Sequence, residues 1–130
     1  MSSINILIFL AREHNLAGLL VLWRFSVEEL QEIYNGIGPD RFPDWLRDIV
    51  TAANGLFEPA ALIHDVRYHI GGSRADFSAA NREFEENCRT LVKDAYSWYD
   101  PRRYIWLFRA QRYAEYCETF GWSGYNKTEE

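Results

Sequence analysis

The chain predicts a small all-α domain, and three observations carry that reading. Phe77, Ala80, Phe84, Cys88, Leu91 and Ala95 recur at steps of three and four, the apolar stripe of an amphipathic helix. Helix punctuation repeats along the chain: Ser26 three residues before Glu29, Asp100 before Pro101, and glycines at 71, 72 and 121. No alternation of strand-like and helix-like segments appears, so nothing suggests a parallel sheet. The 130 residues fit one domain with a hydrophobic core, 1–130.

Residues 4–24 are apolar with a polar break at Arg12 to Asn15, and fit one bent helix, two short helices, or a helix and a strand. Ser26 and Glu29 form a capping box, which starts a short helix running from Val27 to about Tyr34. Gly36, Gly38 and Pro39 stop it. A second short helix is expected from Pro43 to about Ala53, with Asn54-Gly55 as its stop. Pro59 opens the next, over 59–70, closed by Gly71-Gly72. Ser73 or Asp76 caps a long helix over 76–98, packed antiparallel on the one before it. Asp100-Pro101 opens the last, 101–119, rich in aromatics. Tyr104, Trp106, Phe108, Tyr113, Tyr116 and Trp122 read mostly as core, with a helix lying on lipid headgroups through Arg102, Arg103, Arg109 and Arg112 as the alternative. Residues 126–130 read as a disordered, solvated tail.

The net charge of −5, with no run of Lys or Arg, argues against a nucleic-acid partner. Two cysteines, Cys88 and Cys117, are too few for a disulfide-stapled fold and read as buried thiols. The apolar runs 4–11 and 16–23 are too short to span a bilayer and make a poor signal peptide. The expectation is a cytoplasmic or virion-associated protein.

The stretch "ALIHDVRYHIGG" places His64 beside Asp65, with Tyr68 one turn on. Adjacent helix residues point about 100° apart, so His64 and Asp65 serve different partners or are ordinary surface groups. Upstream, "YNGIGPD" sets two glycines one residue apart after a helix, a loop free to turn its carbonyls inward. Carbonyl oxygens plus a carboxylate suit Ca²⁺, and Asp65 supplies the carboxylate. His64 then sits near the cation without ligating it, as a base acting on water would. Asp40, Asp44 and Asp48 recur at spacing four and read as a solvated face; His69 lies on another face from His64, and His14 as a solvent-facing break.

Tyr34-x-Gly36-x-Gly38, then His64-Asp65-x-x-Tyr68, then "AANREF" over 79–84, resembles the phospholipase A2 family. The match covers about residues 34–90 and is closest to the disulfide-poor parvovirus, bacterial and phage types. The resemblance implies calcium held by the carbonyls of Tyr34, Gly36 and Gly38 and the carboxylate of Asp65. It implies that His64 deprotonates a water that attacks the sn-2 ester of a glycerophospholipid, with Tyr68 steadying the group that orients His64. It makes a phospholipid or membrane interface the partner. Three positions depart from the family pattern. Ala61 stands where secreted members carry a cysteine, the segment between Gly38 and His64 is longer, and Asn81 replaces the aspartate that orients the histidine. Asp76 is the nearest spare carboxylate. Asn81 brings no charge, so weak activity and a gain in Asn81→Asp are expected; a helical scaffold without turnover is the alternative.

Overall fold

The computed structural model describes residues 3–36 and 55–128. The fold is all-α. Among the described residues five α-helices follow one another: α1 (Ile4–Glu13), α2 (Val27–Gly36), α3 (Glu58–Ile70), α4 (Arg74–Ala95) and α5 (Pro101–Phe120). Short 3-10 turns cover Leu19–Arg24 and Gly121–Gly124. The helix expected at 43–53 and the aspartates 40, 44 and 48 lie outside the described residues.

The caps explain the boundaries. Ser3 accepts from the Ile6 N–H at the start of α1. The Ser26–Glu29 box is closed in both directions, at 2.8 and 3.1 Å. Ser73 and Asp76 form a second reciprocal box, which starts α4 at Arg74 rather than at 76. Asp76 is thereby committed to the cap. Asp100 accepts from the Arg102 N–H at 2.9 Å, and Pro101 follows as the first residue of α5. The apolar run after α1 becomes a 3-10 turn, not a strand, and α2 continues two residues beyond Tyr34 to end on Gly36.

α3 is the buried centre. Nine of its residues, Glu58 to His64 with Val66 and Tyr68, are shielded from water, and Asp65, Arg67 and His69 lie toward the surface. α1, α2 and α4 pack on it, and α5 packs on α4. Tyr68 meets Phe77 and Asn81, while His64 meets Asn81 and Phe84, so α3 and α4 run antiparallel. The same logic makes α5 antiparallel to α4: Glu118 faces Ser78 and Asn81, and Tyr113 faces Phe84.

The glycine pair after α3 has a specific cause. Gly71 has φ +77°, and a Cβ there would lie 1.8 Å from the Asn126 carbonyl oxygen. The chain end comes back across this point. Asn126 N–H donates to the Tyr68 carbonyl, Gly72 N–H to the Asn126 carbonyl, and Thr128 N–H to the Gly72 carbonyl. Residues 126–128 are therefore paired, which corrects their reading as a free tail: a polar sequence here finds backbone partners that α3's C-terminus leaves over. His14 is likewise no open break; its Nδ1 lies 2.7 Å from Asp94 on α4. Asn87, 1% exposed, clamps Ala17 by accepting from its N–H and donating to its carbonyl. On α5, Trp106 and Tyr113 are core, but Tyr104 and Phe108 face solvent. No helix among the described residues is long and apolar enough to cross a membrane.

Candidate active site

His64 projects from the middle of α3 toward α4 and is 4% exposed. Its ring lies between those of Tyr68 and Phe84, at centroid distances of 4.4 and 4.6 Å. Its Nε2 is 2.8 Å from Asn81 Oδ1, and the Tyr68 hydroxyl donates to that same oxygen at 2.8 Å. Asn81 Nδ2 donates to Glu118 Oε1 at 2.8 Å, and the Ser78 hydroxyl to Glu118 Oε2 at 2.7 Å. One file of hydrogen bonds thus crosses three helices, from α5 through α4 to α3.

The file has only one consistent set of proton positions. Desolvation works against the Glu118 charge. The bonds from Asn81 and Ser78, with Arg74 and Arg82 nearby, outweigh it and hold the carboxyl below its usual range. An ionised carboxylate only accepts, so the Asn81 NH₂ must face Glu118 and its oxygen must face His64 and Tyr68. An amide oxygen also only accepts, so His64 must carry its proton on Nε2. Burial lowers the His64 pKa to about 4, opposed in part by the bond to Asn81. The imidazole is neutral at pH 7, with its lone pair on Nδ1. That is the protonation state a general base requires.

Asp65 occupies the neighbouring face of α3 and is half-buried. Burial pushes its carboxyl well above the usual carboxylate range. Among the described residues it makes no hydrogen bond and no ion pair. A desolvated carboxylate is a group that a hard cation would satisfy. Tyr34 stands close by: its hydroxyl donates to the buried Glu58 at 3.1 Å, and its pKa is raised by burial, then by Glu58 and Asp65. The carbonyls of Tyr34 and Gly36 belong to the last turn of α2, where a helix leaves four carbonyls without intrahelical partners. Gly38 lies outside the described residues. No group of three or more His, Cys, Asp or Glu among the described residues is arranged to hold a metal, so a cation beside Asp65 would depend on carbonyl oxygens. The donor types present fit Ca²⁺.

The structure brings His64, Tyr68 and Asn81 into one hydrogen-bonded group and sets Asp65 and Tyr34 beside it. Sequence reasoning missed Glu118 and Ser78. Nothing local marks Glu118, which reaches Asn81 across 37 residues; only its place next to the buried Cys117 hints that it borders the core. A cavity of about 340 Å³ opens nearer the C-terminus of α3, lined by Arg67, Gly71, Asp76, Glu83 and Tyr125 among others, and neither His64 nor Asp65 lines it. Arg67 and Glu83 are paired there through two 3.0 Å bonds. No protein-family model, curated protein or solved structure matches this chain.

Proposed function

We propose that the chain is a calcium-dependent, phospholipase A2-like hydrolase of the sn-2 ester of glycerophospholipids. The observation that carries this reading is the file Glu118–Asn81–His64, which supplies a neutral imidazole held by one nitrogen. In the proposed reaction His64 Nδ1 takes a proton from water as that water attacks the ester carbonyl. The positive charge that develops on the ring is met by the Asn81 oxygen, polarised from behind by the Glu118 carboxylate. Asn81 thus relays a charge that it does not itself possess. Tyr68 holds the amide oxygen from the side, so the ring keeps its orientation during proton transfer. Calcium, held by Asp65 with the carbonyls of Tyr34, Gly36 and Gly38, would act as a Lewis acid toward the ester oxygen.

Release of fatty acid from the sn-2 position of phosphatidylcholine, with calcium and with a chelator, tests the reading. Calcium-dependent release that falls at least about a hundredfold in His64→Gln is expected. No release at any calcium concentration would leave the second reading, a helical scaffold without turnover. That reading draws on the burial of His64, since the same network satisfies a structural core histidine.

A further inference from the structure

The outer face of α5 is unusual for a helix on the edge of a fold. Trp106, Ala110, Tyr113 and Cys117 bury one side, Tyr113 against Phe84 of α4 and Trp106 against Phe57. Opposite them, Tyr104, Ile105 and Phe108 are 55%, 50% and 58% exposed. Trp98 and Tyr99, just before the helix, are 73% and 71% exposed and meet edge to face. The Tyr104 hydroxyl donates to the Trp98 carbonyl, which joins the two groups into one aromatic strip. A solvent-facing helix side would ordinarily be polar.

Arginines outnumber carboxylates beside the strip, with Asp100 and Glu115 at its two ends. Between residues 101 and 114 the chain carries four arginines and no carboxylate, although its net charge is −5. Three of them lie against rings: Arg102 over Tyr96, Arg109 over Trp106 and Arg112 over Phe108. Asp100 engages Arg102, and Glu115 lies 3.8 Å from Arg112. Arg109 has no carboxylate partner among the described residues. Arg112 thus lies against a ring of the exposed strip, while Arg102 and Arg109 lie at its flank, against Tyr96 and the buried Trp106.

We propose that this face of α5 docks on a lipid surface bearing anionic headgroups. Trp98, Tyr99, Tyr104 and Phe108 enter the headgroup–acyl boundary, where amphipathic aromatic rings are most stable. Arg102, Arg109 and Arg112 meet lipid phosphates and the negative surface potential. The aromatic composition of the face suits the headgroup–acyl boundary of a bilayer. Among the other exposed apolar residues, Leu20, Trp23 and Val27 adjoin a single arginine, Arg24, and are followed by Glu28 and Glu29, while Ile6 and Phe9 lie on α1 with Arg12 and Glu13. The face lies beyond residue 90, outside the segment that resembles phospholipases A2. The proposal supplies the interface for the hydrolase reading but does not need turnover.

Co-sedimentation with vesicles of ether-linked lipids, in chelator, tests it apart from hydrolysis, because those lipids contain no ester. One set is phosphatidylcholine alone; the other is an equal mixture of phosphatidylcholine and phosphatidylserine. Binding to the mixed vesicles, weakened by salt, is expected. Arg109→Gln and Arg112→Gln should each reduce the partition coefficient about fivefold. Phe108→Ser should reduce it about tenfold or more, with unchanged circular dichroism and melting temperature. Leu20→Ser should leave it unchanged. Equal binding to both vesicle types, no binding to either, or insensitivity to the α5 substitutions overturns the proposal. So does sedimentation equilibrium showing a dimer that Phe108→Ser dissolves, which would assign the face to a second copy of the chain.

Discussion

At the scale of single residues, Glu118 changes what Asn81 means. An aspartate at position 81 would supply the charge that the amide lacks, so the sequence suggests Asn81→Asp as a gain. The structure reverses that expectation. The new carboxylate oxygen would stand where Nδ2 now sits, 2.8 Å from Glu118 Oε1, and two carboxylates so close cannot both ionise. Asn81→Asp alone should therefore lower stability and leave turnover no higher. Asn81→Asp combined with Glu118→Gln restores one charge and one donor, and should raise turnover above the natural protein by about tenfold or more. That stays well inside the roughly ten-thousandfold that an Asp→Asn change costs in serine proteases. A double-mutant cycle on fatty-acid release and on denaturant midpoint separates the two effects. The neighbouring residues His64 and Asp65 titrate in opposite senses. His64 has a folded pKa of about 4, below its ordinary 6.5, so the unfolded chain binds its proton first. Its contribution to stability is whole above pH 6.5 and drains as pH falls toward 4, on the order of 3 kcal/mol in all. Asp65 is shifted upward, so the folded chain keeps its proton longer and stability falls as pH rises above the ordinary aspartate range. In chelator, His64→Gln should flatten the acid limb of a stability–pH curve measured by urea unfolding, while Asp65→Asn should raise stability at neutral pH. Asp65→Asn should also abolish calcium binding by titration calorimetry. Equal calcium affinity in that variant would remove Asp65 from any cation site.

At the scale of elements, the end of α3 and the end of the chain depend on each other. Gly71 is required there by its positive φ and by the Asn126 carbonyl, which occupies the space of a Cβ. Gly71→Ala should cost about 1–3 kcal/mol, the usual scale for a forced backbone conformation, and should release residues 126–128. Hydrogen exchange at the Asn126 and Thr128 amides should accelerate, since their acceptors are the Tyr68 and Gly72 carbonyls. Unchanged exchange would mean that the pairing is not held by this close approach. Gly121 is similarly constrained beside the His64 group, where a Cβ would lie 2.4 Å from the Tyr68 hydroxyl. The turn after α5 thus sets how near the chain runs to a residue of the site. Asn87 ties the loop after α1 to α4 by two bonds and leaves none of its polar atoms unsatisfied, which explains an asparagine in a helix interior.

At the scale of the whole molecule, what was legible in the sequence follows the range of the interaction. Periodicity and caps are local, so α3, α4 and α5 could be read within a few residues from Pro59, Ser73 and Asp100. The pairing of His64 and Tyr68 with Asn81 was expected only from the resemblance, and the α3–α4 hairpin brings those two helix faces together. Glu118 was not: its partners lie 37 and 40 residues away, and no local pattern records a contact between α5 and α4. The pairing of Asn126 with Tyr68 and Gly72 was hidden for the same reason. Tyr104 and Phe108 misled because hydrophobicity marks a residue as apolar without saying which face it occupies. The three long helices converge on the location of one proton, because Glu118 on α5 orients Asn81 on α4, which orients His64 on α3. The measurement that tests this most directly is the ¹⁵N chemical shifts of the His64 imidazole at neutral pH, in the natural protein and in Glu118→Gln. The account predicts a neutral ring with the proton on Nε2 and an unprotonated Nδ1, giving way to a mixture of tautomers in Glu118→Gln. A protonated Nδ1 in the natural protein, or a ring indifferent to Glu118, would contradict it.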